Sequence, residues 1–323
     1  MEIIHKIDDL NSILNTDDKL RWPSVFVLPG WMKAWWGHFG AGFETFIVVA
    51  REQGEVIGLA PFKRSGKIAS FIGNEAVCDY LDFVVAKGKE KEFFSALLNF
   101  FLCSESISMN LGTLRPDSIT ATYFLPMAKE YGFGIECLQA GVSYEKVLED
   151  SFQEYLSRLD SKQRREIMRK QKRMEVSGGV TFRMLKNNDV SEGDIAIFLE
   201  LMTVSRMDKA NFLTANMRGF FEDIFREMSS YGALRLGLLN LGKKTIAAVL
   251  CFDYNNSMYM YNSGYDPHYS ELSPGLISKI YCIRWSIEHQ KNTFDFLKGQ
   301  ESYKQRLGGK RVDLSVCQIG RAS

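Results

Sequence analysis

Residues 257–307 read SMYMYNSGYDPHYSELSPGLISKIYCIRWSIEHQKNTFDFLKGQESYKQRL and predict a strand, a loop, a helix, a second strand and a short second helix. In the first strand Met258 and Met260 face one way while Tyr259, Tyr261 and Ser263 face the other, the alternation of a pleated strand. The loop closes on Ser273-Pro274-Gly275. Ser273 is placed to cap the helix through its hydroxyl, and Pro274 suits the first turn because the donor it lacks would be an orphan there. A helix that starts in a loop after a strand presents free backbone N–H groups and the positive end of its dipole, so this start is a candidate phosphate site. Most Ser-Pro-Gly helix starts only begin helices. What distinguishes this one is the apolar strand that follows its helix, Thr293 to Leu297, and then Lys298-Gly299.

This strand, loop, helix and strand resemble the acyl-coenzyme A binding core of the GNAT-type acyltransferases. The likeness extends to SPGLISK (273–279), FDFLKGQESYKQRLG (294–308), the basic DSKQRREIMRKQKRMEVSGGV (160–180) and PGWMKAWWGHFG (29–40). Together these resemble the CelD/BcsL-like acetyltransferases associated with bacterial cellulose biosynthesis. More distantly the layout is similar to the FemABX aminoacyltransferases, which carry two GNAT-like domains in one chain. The resemblance implies an α/β (α+β) fold of tandem GNAT-like domains, each a mixed, mostly antiparallel sheet flanked by helices. It implies acetyl-CoA or another acyl-CoA as donor, with the pyrophosphate on the helix start and the pantetheine arm between two splayed strands. On this sequence those contacts fall at Asn262, Ser263, Gly264, Ser273, Pro274, Gly275 and Leu276. The implied acceptor is the amine or hydroxyl of a small molecule or glycan in exopolysaccharide or cell-envelope metabolism. The FemABX likeness implies an aminoacyl-tRNA donor instead. One departure is clear: the glycine-rich pyrophosphate signature is absent, Gly275 being the only glycine in the last turn of the loop.

With 323 residues the chain exceeds what one hydrophobic core usually serves, and two domains of roughly 150 residues are expected. The hydrophobic fraction of 46% fills sizeable cores, and a net charge of +1 means that attraction to a polyanion must come from local clustering. DNA is not an expected partner. The six cysteines lack any C-x-x-C pair and, with no secretory leader, read as reduced, mostly buried small hydrophobes. The longest apolar run, Phe93 to Cys103, is about half the ~20 residues a membrane span needs, so a cytoplasmic protein is expected.

Along the chain, a short helix is expected over 10–14 and an aromatic-striped helix over Trp31, Trp35 and Phe39, a stripe that reads as core. A hairpin turning at Gln53-Gly54 follows, then strands over 67–72 and 79–85, a helix over 90–102, a strand over 108–111, a helix over 118–131 and a strand over 133–138. The second half repeats this order: a hairpin turning at Gly242-Lys243, a strand, the helix from Pro274, a strand, a short helix and a closing strand over 312–319. That repetition suggests structural duplication, with domains at 1–145 and 146–323 and a cleft between them. The first domain would bind the acceptor or be degenerate; the second would carry the donor site.

Between the halves, Lys162, Arg165, Arg169 and Arg173 recur at steps of three and four and share one helix face. A solvated surface helix is the plain reading. The functional one is contact with an anion: coenzyme A phosphates, a charged glycan or lipid, or tRNA. GLLNLGK (237–243) has P-loop spacing, but Lys244 stands where Ser or Thr is needed, and the segment is a hairpin, so nucleotide hydrolysis is rejected. The four histidines lack zinc-ligand spacing, and no metal is expected.

Acyl transfer needs a base for the acceptor's proton, donors for the oxyanion and an acid for the leaving group. Glu301, beyond Gly299 at the end of the second strand, is the candidate base, with capping of the short helix as its structural alternative. Tyr303 is the candidate acid or a core residue with its hydroxyl at the rim. Lys304 would position an anionic acceptor or pair with a carboxylate, and Asp295, between two phenylalanines, reads as structural. In the first half Asp79 and Asp82 lie on opposite faces if the strand is regular, so that one binds acceptor while the other packs or caps. A non-catalytic binding module that keeps the fold is the remaining alternative.

Overall fold

The computed structural model describes residues 1–10, 19–104 and 107–321; most of the helix expected over 10–14 falls outside them. The chain divides into two compact units, Met1–Val142 with Val312–Ser323, and Ser143–Arg311. The closing strand thus belongs to the first unit rather than to the second half of the sequence.

In the first unit the strands are β1 (Glu2–Ile4), β2 (Leu20–Arg21), β3 (Glu44–Glu52), β4 (Glu55–Ser65), β5 (Ile68–Phe71), β6 (Val84–Ala86), β7 (Ser108–Leu114), the first part of β8 (Phe133–Val147) and most of β14 (Lys310–Arg321). They run in the order β1-β3-β4-β5-β7-β14-β8, with β2 and β6 beside β4. Helices α1 (Pro29–Phe39), α2 (Glu90–Cys103) and α3 (Leu125–Glu130) accompany them. The β3–β4 turn places Gln53 and Gly54 at positive φ, the twist that suits a tight hairpin. Trp31 and Trp35 are buried, as are Phe62, Phe71, Phe83 and Phe93.

The strand expected over 79–85 is reduced to Val84–Ala86, and Asp82 supplies the reason. Its carboxylate accepts from the backbone N–H groups of Phe83, Ile119 and Thr120 at 2.9–3.0 Å and from the Thr120 hydroxyl at 2.5 Å. A side chain that must gather the start of a helix cannot hold a regular pleat as well. A second departure from expectation is a disulfide between Cys137 on β8 and Cys317 on β14. These cysteines are 180 residues apart and meet through sheet order, which spacing does not report. The other four are free thiols.

The second unit holds α4 (Phe152–Arg158), α5 (Ser161–Val176), β9 (Val180–Lys186), α6 (Glu192–Ser205), α7 (Met207–Phe212), α8 (Ala215–Ser230), β10 (Leu234–Leu241), β11 (Lys244–Tyr254), β12 (Ser257–Tyr265), α9 (Pro274–Glu288), β13 (Thr293–Lys298) and α10 (Ser302–Arg306). Its strand order is β8-β13-β12-β11-β10-β9, with β8 contributing from Ser143 onward. Each unit carries a hairpin followed by a strand, a helix and a strand parallel to the first: β5 with β7, and β12 with β13. The other recorded pairings are antiparallel. This is a mixed α/β fold with largely antiparallel sheet flanked by helices.

Helix α6 starts at a capping box in which Ser191 and Asp194 bond reciprocally. It lies directly on β12 at Gly264, where a Cβ would stand 2.3 Å from the Leu201 carbonyl carbon and the Met202 nitrogen. Gly264 is therefore a packing glycine, filled by helix backbone rather than open to a cofactor. Neither neighbour is a movable side chain, so Gly264→Ala is expected to lower stability by about 3 kcal/mol or to prevent folding, read from the urea midpoint. Gly242→Ala, with open space around it but positive φ, is expected to cost about 1 kcal/mol.

Candidate active site

Strands β12 and β13 pair only at Ser257 with Thr293, Met258 with Phe294 and Tyr259 with Asp295, although β12 continues to Tyr265 and β13 to Lys298. Beyond that point each turns to its other neighbour. β12 shifts register against β11 so that Tyr261 bulges, and β13 shifts against β8 between Asp295 and Leu297. The pair is thus parted on its C-terminal side, as the resemblance to the GNAT-type core implies.

The end of β13 is held by a compact polar knot. Leu297, buried, adopts φ +61, a conformation costing a non-glycine residue about 1 kcal/mol. Its N–H donates to Asp295 Oδ1 at 2.7 Å, and its carbonyl accepts from Lys304 Nζ at 3.0 Å. Lys304 also donates to the Lys298 carbonyl at 2.7 Å and pairs with Glu301 at 3.1 Å. A Cβ on Gly299 would lie 2.3 Å from Glu301 Oε2, so glycine is needed there for space as well as for its φ of +128. Lys304, with 2% of its side chain exposed, has its three donors engaged and is not available to position an acceptor. Asp295 is structural, as its place between Phe294 and Phe296 suggests.

Glu301 occupies the N-cap position of α10 without a side-chain capping bond. Burial alone would raise its carboxyl, but Lys304 and Arg206 outweigh burial and hold it below the ordinary range. Tyr303 lies under the Lys279 ammonium, which is 5.1 Å from its ring centroid. Burial and then the Glu301 charge push its phenol upward, so it keeps its proton throughout the neutral range. Its hydroxyl has no hydrogen-bond partner among the described residues.

The start of α9 differs from expectation. Ser273 is in the left-handed region, φ 55 and ψ 46, and its side chain makes no capping bond. The chain leaves a 3-10 segment, Pro267–Leu272, and must reverse at Ser273, which turns the hydroxyl away from the helix amides. The Ser273 carbonyl accepts from both Leu276 and Ile277, and Pro274 has no N–H. Only the Gly275 amide remains free in this first turn. Tyr265 packs on Gly275, a Cβ there standing 2.9 Å from its ring. A pyrophosphate that needs several convergent amides fits this start poorly.

Asn262 and Ser263 lie on the parted section of β12. Asn262 Oδ1 accepts from the Ser263 N–H and from Lys209 Nζ, each at 2.9 Å, and Lys209 also donates to the Ser263 carbonyl. On α5, Lys162, Arg165, Arg169 and Arg173 are exposed, and none forms an ion pair among the described residues. Arg173 donates to the Glu271 carbonyl at 3.0 Å, tying the basic helix to the segment that leads into α9. Arg169 and Lys172 line a groove of about 940 Å³ with Phe152, Met168, Arg284 and Glu288. In the first unit, Asp82 is the capping carboxylate, committed to three backbone amides and the Thr120 hydroxyl; burial pushes its carboxyl up to about 6 despite these four hydrogen bonds. Asp79 is part-exposed in irregular chain before it.

Sequence reasoning missed Arg206, Lys209 and Lys279. The first two sit at the short helix α7, outside the segments that carry the resemblance, and Lys279, the last residue of SPGLISK, reads as one more polar residue in α9. Only burial marks it, at 9% exposure.

The comparisons agree with this geometry. Residues 161–305 match the family model described as an acetyltransferase (GNAT) domain. No curated protein matches. Among solved structures, FemX superposes with a TM-score of 0.64 at 14% identity, covering 98% of this chain and 97% of that one. A conserved protein of unknown function from Bacteroides thetaiotaomicron VPI-5482 gives 0.65 at 12%, covering 99% and 100%. L-PGS from Bacillus licheniformis gives 0.55 at 10%, covering 88% and 90%. At these identities the likeness is one of fold. The second unit is thus similar, over residues 161–305, to a GNAT-type acetyltransferase domain; the narrower CelD/BcsL likeness rests on the sequence segments alone. Among the described residues no group of three or more His, Cys, Asp or Glu could hold a metal ion, and no helix is long and apolar enough to cross a membrane.

Lys304→Met would strand two carbonyls and a carboxylate. It is expected to lower stability by about 3 kcal/mol, whereas Glu301→Gln, at a half-exposed partner, should cost under about 1 kcal/mol. Urea unfolding of the two variants checks the asymmetry.

Proposed function

We propose that this protein is an acyltransferase whose second unit moves an acyl group from an acyl-CoA to an amine or hydroxyl, the acceptor being a small molecule or glycan of exopolysaccharide or cell-envelope metabolism. The observation that carries the reading is the parting of β12 and β13 after Tyr259 and Asp295, beside the Glu301 and Tyr303 side chains. A parted parallel pair leaves a gap in the sheet where backbone groups lack a neighbouring strand, and a pantetheine-like arm can lie along it.

In this reading Glu301, a carboxylate at neutral pH, receives the acceptor's proton as the nucleophile attacks the carbonyl carbon. Tyr303, which keeps its proton, donates a hydrogen bond toward the leaving thiolate. Because the α9 start has a single free amide, the donor's phosphates are assigned to cations, with Arg169 and Arg173 of α5 the nearest exposed stripe tied to that loop. Ordinary point-charge contacts then replace the amide cradle.

A second reading follows from the same shortage of amides: an aminoacyl-tRNA donor, its backbone running along Lys162, Arg165, Arg169 and Arg173. The two readings differ in the number of phosphates neutralised and therefore in salt dependence. Calorimetry with acetyl-CoA at about 50 and 200 mM salt is expected to show binding that weakens less than roughly tenfold. Tyr303→Phe should then lower kcat about 10- to 100-fold with KM nearly unchanged. No acetyl-CoA binding, together with aminoacyl-tRNA binding that falls about a hundredfold or more over that salt interval, would replace the first reading with the second.

A further inference from the structure

The unused chemistry of the second unit is concentrated in two lysines. Lys279, on the second turn of α9, is buried and donates to the Gly275 carbonyl at 2.7 Å. Lys209, on α7, reaches Asn262 Oδ1 at 2.9 Å and the Ser263 carbonyl, on the section of β12 that has left its partner. The neighbouring carboxylates are already engaged: Asp208 pairs with Arg206 at 2.9 Å and Glu301 with Lys304 at 3.1 Å. Neither Lys209 nor Lys279 lies within ion-pair distance of a carboxylate among the described residues. An ammonium has three N–H donors, and these bonds leave at least one free on each lysine. Four cations, Arg206, Lys209, Lys279 and Lys304, thus act on one another and on two carboxylates, and the surplus positive charge belongs to half-buried Lys209 and buried Lys279.

A buried cation without a counter-ion is costly unless something compensates it. We propose that Lys209 and Lys279 form an oxyanion-binding site that draws a carboxylate or phosphate group of a substrate to the opening between β12 and β13. The proposal rests on the acyl-transfer reading only for which substrate carries the anion.

Both lysines titrate below the ordinary range for this side chain. Burial, followed by repulsion from Lys279 and Arg206, lowers Lys209 to about 8 against the pull of Asp208 and Glu301. Burial lowers Lys279 to about 8, opposed by Cys282, Glu301 and Cys251, with Lys304 adding repulsion. An anion between them favours the charged forms, so both titrations must move upward when it binds. A lysine that serves only to tie Asn262 or Gly275 in place has no reason to respond.

The test uses the full chain with 13Cε-labelled lysine, the two resonances being assigned with Lys209→Arg and Lys279→Arg. Titrating pH with and without inorganic phosphate, and separately acetate, should move both midpoints up by roughly one pH unit, a tenfold change in the protonation equilibrium. Acetyl-CoA then distinguishes the sources. If it abolishes the effect of added phosphate, the site takes a donor phosphate, and the assignment of that phosphate to Arg169 and Arg173 falls. If the acetate effect persists in its presence, the site takes an acceptor carboxylate. Midpoints near 8 that neither anion moves would overturn the proposal even if acyl transfer is found. A lysine response without acetyl-CoA binding would support the site while removing the acyl-CoA reading.

Discussion

The ammonium of Lys304 fixes where β13 stops being a strand. By collecting the carbonyls of Leu297 and Lys298 and the carboxylate of Glu301, it stabilises a backbone that regular pairing would not permit. Asp295 secures the same turn from the other side. The consequence reaches β12: because β13 bends toward β8, the parallel pairing ends after three residues, and the groups beyond are left without a strand partner. Glu301 and Tyr303 are carried on the short helix whose first turn this lysine anchors. The placement of Glu301 and Tyr303 and the geometry of the strand therefore share one fastening, and a buried charge is tolerated because each of its donors is matched.

The opposite flank of the opening obeys a steric constraint instead. Gly264 lets the backbone of α6 touch β12, which fixes the direction of the chain into α7 and so brings Lys209 to Asn262. At the head of α9 the left-handed Ser273 and the adjacent proline consume the amides that would otherwise greet a phosphate. Positive charge near this site is accordingly delivered by side chains rather than by the helix terminus. Side-chain cations can follow a ligand as it moves or changes charge, which a rigid amide cradle cannot do.

Much of this was legible in the sequence, because it depends on local periodicity. The hairpins, the parallel pair, α9 and the basic face of α5 all carry patterns of two or of three and four residues. Pro274 and Gly275 marked the helix start correctly, yet the backbone at Ser273 depended on the 3-10 segment before it, and no propensity encodes that. Asp82 looked like a strand residue because its neighbours are apolar; its true partners lie at Ile119 and Thr120. Lys304 was recognised as a candidate for pairing, but its burial depends on where Leu297 turns. Helices α6 to α8 went unread, and with them Lys209. For Asp82 and Lys209 the missing information was a contact between residues distant in sequence, which a single sequence does not display.

The placement of β14 has a consequence for the order in which the molecule can assemble. This strand lies between β7 and β8 in the first unit, yet it follows the whole of the second unit in the chain. During synthesis the second unit can close while the first still has a vacant slot, with the facing edges of β7 and β8 unpaired and open to wrong partners. Order of completion is then the reverse of order in sequence. The Cys137–Cys317 bond can form only after that slot is filled. Thereafter a backbone cut anywhere from 138 to 316 would leave a single covalent molecule.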